Sequence, residues 1–194
     1  MHNYPTFYVE NLVQNHNIKN PKNRIFPLDN TPPICYNRPI KRKELNTMAT
    51  IYFDMDGTIA DFYSVPHWLD HLDAQRTTPY ELAKPMVHPS MLTLVVWAMQ
   101  RKGYRIAILS ALSRTGDADF HSRIKTAKSE WLKKNYPLIQ WDEIIYVPYG
   151  SNKNEYATDA VKVLFDDEER NRSEWCGSAY TPDKILSVLW QMSA

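Results

Sequence analysis

The rhythm of apolar and polar positions changes several times along the chain, and each change marks an element. Residues 50–54 (Thr-Ile-Tyr-Phe-Asp) are β-branched or aromatic until they stop at an acid, which reads as a short buried strand. Comparable runs occur at 105–110, 144–147 and 162–165, with a weaker one at 179–180. Between them, 89–102 and 122–135 carry helical spacing. His88-Pro89-Ser90 has the form of a helix entry and Gly103 that of a helix stop. Trp131, Leu132 and Tyr136 give the second helix its apolar stripe, and Trp97 reads as core on the first. Alternating strands and helices predict an α/β fold, a doubly wound parallel sheet with helices on both faces. The stretch 62–87 breaks that rhythm with two short helix candidates, 65–74 and one beginning near Pro79. Because it follows the first strand directly, it is expected above the sheet's carboxyl edge as a small helical cap inserted after that strand.

Residues 1–47 show no sustained period of either kind and hold six of the thirteen prolines. They read as a disordered or loosely attached arm, with the folded domain at 48–194 and Met48 placed to serve as a translation start. The arm carries seven Lys or Arg against three acids, a net of +4, which leaves −3 on the remainder of a chain whose total is +1. A basic arm could bind nucleic acid, though composition does not favour that partner. Hydrophobic residues make up 43%, enough for a core. Cys35 and Cys176 lie far apart, forming neither a disulfide framework nor a zinc spacing, and a reducing, cytoplasmic setting is the default. No stretch reaches the roughly 18 apolar residues of a membrane span, so no membrane is expected.

The chemistry gathers at strand ends. Asp54 and Asp56 leave the first strand one residue apart, on the same side, and Gly57 lets the chain turn sharply behind them. Two acids converging there are costly unless a cation or a reaction uses them. The second strand ends at Ser110 and the fourth at Asp166-Asp167, while Lys128 lies on the second helix. A parallel sheet would bring these groups to one rim. The set suits phosphoryl transfer through an aspartyl-phosphate. Asp54 would be nucleophile and metal ligand, with Mg²⁺ masking charge on both partners. Asp56 would protonate the leaving alkoxide and then deprotonate the attacking water. Ser110 and Lys128 would hold the phosphoryl oxygens, with Lys125 and Lys153 as rivals for the lysine's part.

This constellation resembles the haloacid dehalogenase superfamily, in its phosphatase branch. The resemblance rests on Asp54-Met55-Asp56-Gly57-Thr58, Ser110, Lys128 and Asp166-Asp167, and spans residues 48 to about 180. It implies a Rossmann-like core, Mg²⁺ as cofactor, Asp54 as nucleophile, and metal contact through the backbone carbonyl of Asp56. By analogy, Asp167 is the direct ligand and Asp166 its support. The run Asp-Met-Asp-Gly-x-x-Ala-Asp-Phe at 54–62, with Lys128-x-x-Trp131, is similar to the 5′(3′)-deoxyribonucleotidase group, where the residue matching Phe62 packs on the substrate base. Two features depart from that group. Ser110-Ala111-Leu112 lacks the adjacent hydroxyl and proline, and the shorter segment before it implies a reduced cap. The run 164–169 is also similar to small nucleotidase-like proteins of bacteriophages and bacteria.

The expectation is therefore a Mg²⁺-dependent phosphomonoesterase for a small phosphorylated metabolite, a nucleoside or deoxyribonucleoside monophosphate. One alternative is a phosphatase for nucleic-acid ends. The other is a non-catalytic phosphate-binding module, which would be expected to lack one of these groups.

Overall fold

The computed structural model describes residues 49–194. The expectations for the arm at 1–47 and for Met48 lie outside the described residues. Five parallel strands form the sheet in the order β5-β4-β1-β6-β7, flanked by helices as the alternation predicts. They are β1 (Thr50–Phe53), β4 (Arg105–Ala111), β5 (Glu143–Val147), β6 (Lys162–Phe165) and β7 (Ser178–Tyr180). β1 is central and buried along its whole length. Phe53 stands opposite Ile108 on one side and Phe165 on the other. The register therefore brings Asp54 and Asp166, just past β1 and β6, to the same edge as Ser110, near the end of β4. Because the chain leaves β1 for β4 on one side and returns to β6 on the other, a crevice opens above β1.

Alternation along the strands divides the core into two faces. Ile51, Phe53, Ile106, Ile108 and Phe165 pack against α3 (Pro89–Arg101), α6 (Ile185–Ser193) and the last turns of α4 (Ala118–Asn135). On the other face, Tyr52, Leu109 and Leu164 meet Val147, Ala157 and Trp175, the indole standing edge-on to Tyr52 at 5.6 Å. The connection from β5 to β6 is a 3₁₀ turn at Lys153–Tyr156 rather than a helix, so this face is the thinner one.

Between β1 and α3 the chain forms β2 (Ala60–Asp61), α1 (Trp68–Asp73), α2 (Thr78–Leu82) and β3 (Lys84–Pro85). β2 and β3 pair antiparallel and join the two ends of this insert. The Trp131 indole donates to the Ala83 carbonyl at 2.7 Å, and the Tyr136 hydroxyl to the Val87 carbonyl at 3.0 Å, so α4 fastens the insert to the core.

Three details differ from the sequence expectation. α4 begins at Ala118, where Asp117 caps it by accepting the Phe120 N–H, because that polar first turn carries little apolar signal. α5 (Glu169–Ser173) and α6 had no expected counterpart. Trp97 is not core. It is 54% exposed, with the Arg101 guanidinium over its ring.

Candidate active site

The turn after β1 is built on one carbonyl: Met55 O accepts the N–H groups of Thr58, Ile59 and Ala60. Gly57 takes φ +75°, and a Cβ there would lie 2.4 Å from Asp167 Oδ2 and 2.7 Å from the Tyr63 ring. Only glycine allows the two acidic turns to approach this closely. Thr58, wholly buried, accepts the Asp167 N–H at 3.1 Å and ties the turn after β6 to the turn after β1.

Asp54, Asp166 and Asp167 each present one carboxylate oxygen, and these atoms lie within 4.8 Å of one another. The Lys153 ammonium, 3% exposed, bonds Asp54 Oδ1 at 2.8 Å and Asp166 Oδ2 at 2.6 Å. Asn171 donates to both oxygens of Asp166, and Arg172 to the backbone carbonyls of Asp166 and Asp167. On the other side of the crevice, Lys128 bonds Asp56 Oδ2, Ser110 Oγ and the Ala111 carbonyl, each at 2.8 Å.

Burial pushes the Asp56 carboxyl up from its ordinary range, against the pull of Lys128. Asp167 is pushed up to about 7 by burial and by the charges of Asp54 and Asp166. Asp166 is raised by burial and by Asp54, with Lys153 opposing. Lys153 is raised: its two carboxylates outweigh the desolvation that works the other way. Four carboxyl groups thus face two buried ammonium groups. That acid-rich, all-oxygen donor set fits a hard divalent cation such as Mg²⁺.

A cavity of about 510 Å³ opens over this edge, and its lining includes Asp54, Asp56, Lys153, Asp167, Tyr63 and Tyr149. Phe62 also lines it, but is only 3% exposed. Its ring packs against Tyr80 at 4.8 Å, Tyr63 at 5.4 Å and Trp68 at 5.6 Å. Tyr63 is 48% exposed and offers the more open ring.

The fold brings together Asp54, Asp56, Ser110, Lys128, Asp166 and Asp167, although 113 positions separate the first from the last. Lys125 is exposed on α4, away from that set, whereas Lys153 reaches Asp54. Lys153 sits in a 3₁₀ turn without periodicity, so nothing in the sequence ranked it above Lys128. Asn171 and Arg172 carry no sequence signal, since they lie in a short polar helix and their partners are the acids and carbonyls of the preceding turn.

No family model matches the chain, and no curated protein matches it. Among solved structures, it is similar to the crystal structure of a D,D-heptose 1,7-bisphosphate phosphatase from Burkholderia thailandensis. Identity is 9% and the TM-score 0.45, over 74% of this chain and 97% of that one. Among the described residues, no helix is long and apolar enough to cross a membrane.

Proposed function

We propose that this chain is a Mg²⁺-dependent phosphomonoesterase of the haloacid dehalogenase type, acting on nucleoside monophosphates through an aspartyl-phosphate. The observation that carries the reading is the convergence of Asp54, Asp166 and Asp167 on one edge, with Lys153 bridging the first two and Asp56 beside them. Asp54 and Asp167 would hold the cation by their carboxylates and Asp56 by its backbone carbonyl, with Asp166 steadied behind them by Lys153 and Asn171. When bound, Mg²⁺ supplies charge neutralisation for the phosphoryl group and its attacking carboxylate.

The chain's own residues divide the work. An Asp54 oxygen attacks phosphorus, the ester P–O bond breaks, and the raised Asp56 carboxyl gives its proton to the leaving alkoxide. Asp56, now ionised, takes a proton from the water that attacks the phosphoryl group. The bond to Asp54 then breaks, and inorganic phosphate leaves. Lys153 holds Asp54 in line and keeps one N–H toward the incoming phosphoryl oxygens. The insert at 62–87 acts as the cap, and the aromatic rings around Phe62 and Tyr63 support a flat base as the leaving group's recognition element.

The test is phosphate release from nucleoside monophosphates, sugar phosphates and 5′-phosphorylated oligonucleotides, with and without Mg²⁺. Release from the nucleotides, lost with chelator and in Asp54→Asn, is the expected result. Preference for oligonucleotides would move the substrate to nucleic-acid ends. Absence of release from every substrate would overturn the enzymatic reading.

A further inference from the structure

The two buried lysines of this crevice are not equivalent. Lys153 lines the cavity and has two acceptors, Asp54 and Asp166, for its three N–H groups. Lys128 is wholly buried and has three acceptors, Asp56, Ser110 and the Ala111 carbonyl. Its three N–H groups are all engaged. The Tyr80 ring closes over the ammonium at 5.1 Å. Lys128 has no donor left to offer a phosphoryl oxygen, and the cavity wall does not include it.

We infer that Lys128 is a positioning residue for Asp56: it anchors one carboxylate oxygen of the proton-transferring acid to the end of β4 and leaves phosphoryl contact to Lys153. The inference rests on the phosphatase reading above and reassigns a residue within it. Its physical basis is the arrangement of rigid supports. Ser110 and Ala111 belong to β4, Lys128 to the middle of α4, and Asp56 to the turn after β1. One ammonium group therefore locks three elements at the point where the acid must be aimed. With Oδ2 held, Oδ1 is the oxygen free to meet the leaving group. No proton passes through Lys128. The proton that Asp56 gives to the alkoxide is recovered from the attacking water.

The test compares Lys128→Met, Asp56→Asn and the double variant on two substrates that differ in leaving group. Asp56 matters most when an alkoxide must be protonated and least for a p-nitrophenolate. Lys128→Met should therefore lower kcat/KM about 100-fold for a nucleoside monophosphate, within the range of lost general-acid catalysis, and clearly less for p-nitrophenyl phosphate. The double variant should be no worse than Asp56→Asn, since groups acting as one unit are not additive. Equal losses on both substrates, or a further tenfold loss in the double variant, would overturn the inference and make Lys128 a phosphoryl contact.

A crystal structure of Lys128→Met decides the matter without turnover. The Asp56 carboxylate should leave its place while Asp54, Lys153 and Asp166 keep theirs. An unmoved Asp56 would overturn the inference. If wild-type protein released no phosphate from either substrate, the phosphatase reading would fail on its own, and that structure would still judge Lys128. Should Lys128→Met not fold, Lys128→Gln, which retains a donor for β4, carries the same comparisons.

Discussion

Asp54 and Asp56 have one residue between them, yet on the phosphatase reading they carry different obligations, and substitution should separate them. On that reading, Asp54→Asn would remove nucleophile and metal ligand together, and should abolish turnover with the unfolding transition intact. Asp56→Asn keeps its backbone carbonyl, so Mg²⁺ should still raise the melting temperature while turnover falls about 10²- to 10⁴-fold. Near wild-type turnover in Asp54→Asn would end the aspartyl-phosphate reading. Gly57 offers a sharper residue-scale test. Gly57→Ala puts a methyl group against Asp167 at positive φ, and should cost roughly 1–3 kcal/mol on thermal unfolding while weakening the response to Mg²⁺. A stable variant with normal Mg²⁺ response would show that the two turns tolerate separation. The acids were legible because a strand that ends in Asp-x-Asp-Gly has few structural uses. Lys153 was not, since its meaning lies in a partner 99 residues away.

At the scale of elements, the central strands β1, β4 and β6 are legible nearly to the residue because burial on both sides leaves an unbroken apolar run, whereas the edge strands β5 and β7 carry weaker signals. β2 and β3 escaped because two residues are too few to show a period. α5 escaped for a related reason: its five residues, all polar or charged, carry no apolar stripe. The insert they frame makes its own prediction about Phe62 and Tyr63. Phe62 is held by three rings, so Phe62→Ala should cost about 3–5 kcal/mol and depress all substrates together. Tyr63, half open to the cavity, should behave otherwise. Tyr63→Ala should lower the melting temperature less than Phe62→Ala does, and weaken nucleoside monophosphates by roughly 1–3 kcal/mol relative to p-nitrophenyl phosphate. Parallel losses on the two substrates would remove the support for base recognition.

For the whole molecule, the crowded acidic edge makes stability depend on pH. Asp167 is raised to about 7, whereas an unfolded aspartate titrates near 4. A carboxyl whose folded value is the higher one stabilises fully below about 4, and that contribution is lost as the pH rises through about 7. In chelator, the melting temperature should therefore fall between pH 5 and pH 8. Mg²⁺ should restore more at pH 8 than at pH 5, and Asp167→Asn should flatten both trends. A melting temperature that rose with pH in chelator, and ignored Asp167→Asn, would contradict this account. The pairing of β2 with β3 has a different consequence. The chain enters and leaves the insert through Ala60 and Pro85, which already face each other. A segment whose ends are closed can be replaced by one of another length for about 0.6 kcal/mol per doubling. The carboxylates and both lysines lie outside that doorway. On the phosphatase reading, a graft between Ala60 and Pro85 that keeps Tyr80 over Lys128 and the Ala83 carbonyl under Trp131 should change the clientele without retraining the chemistry.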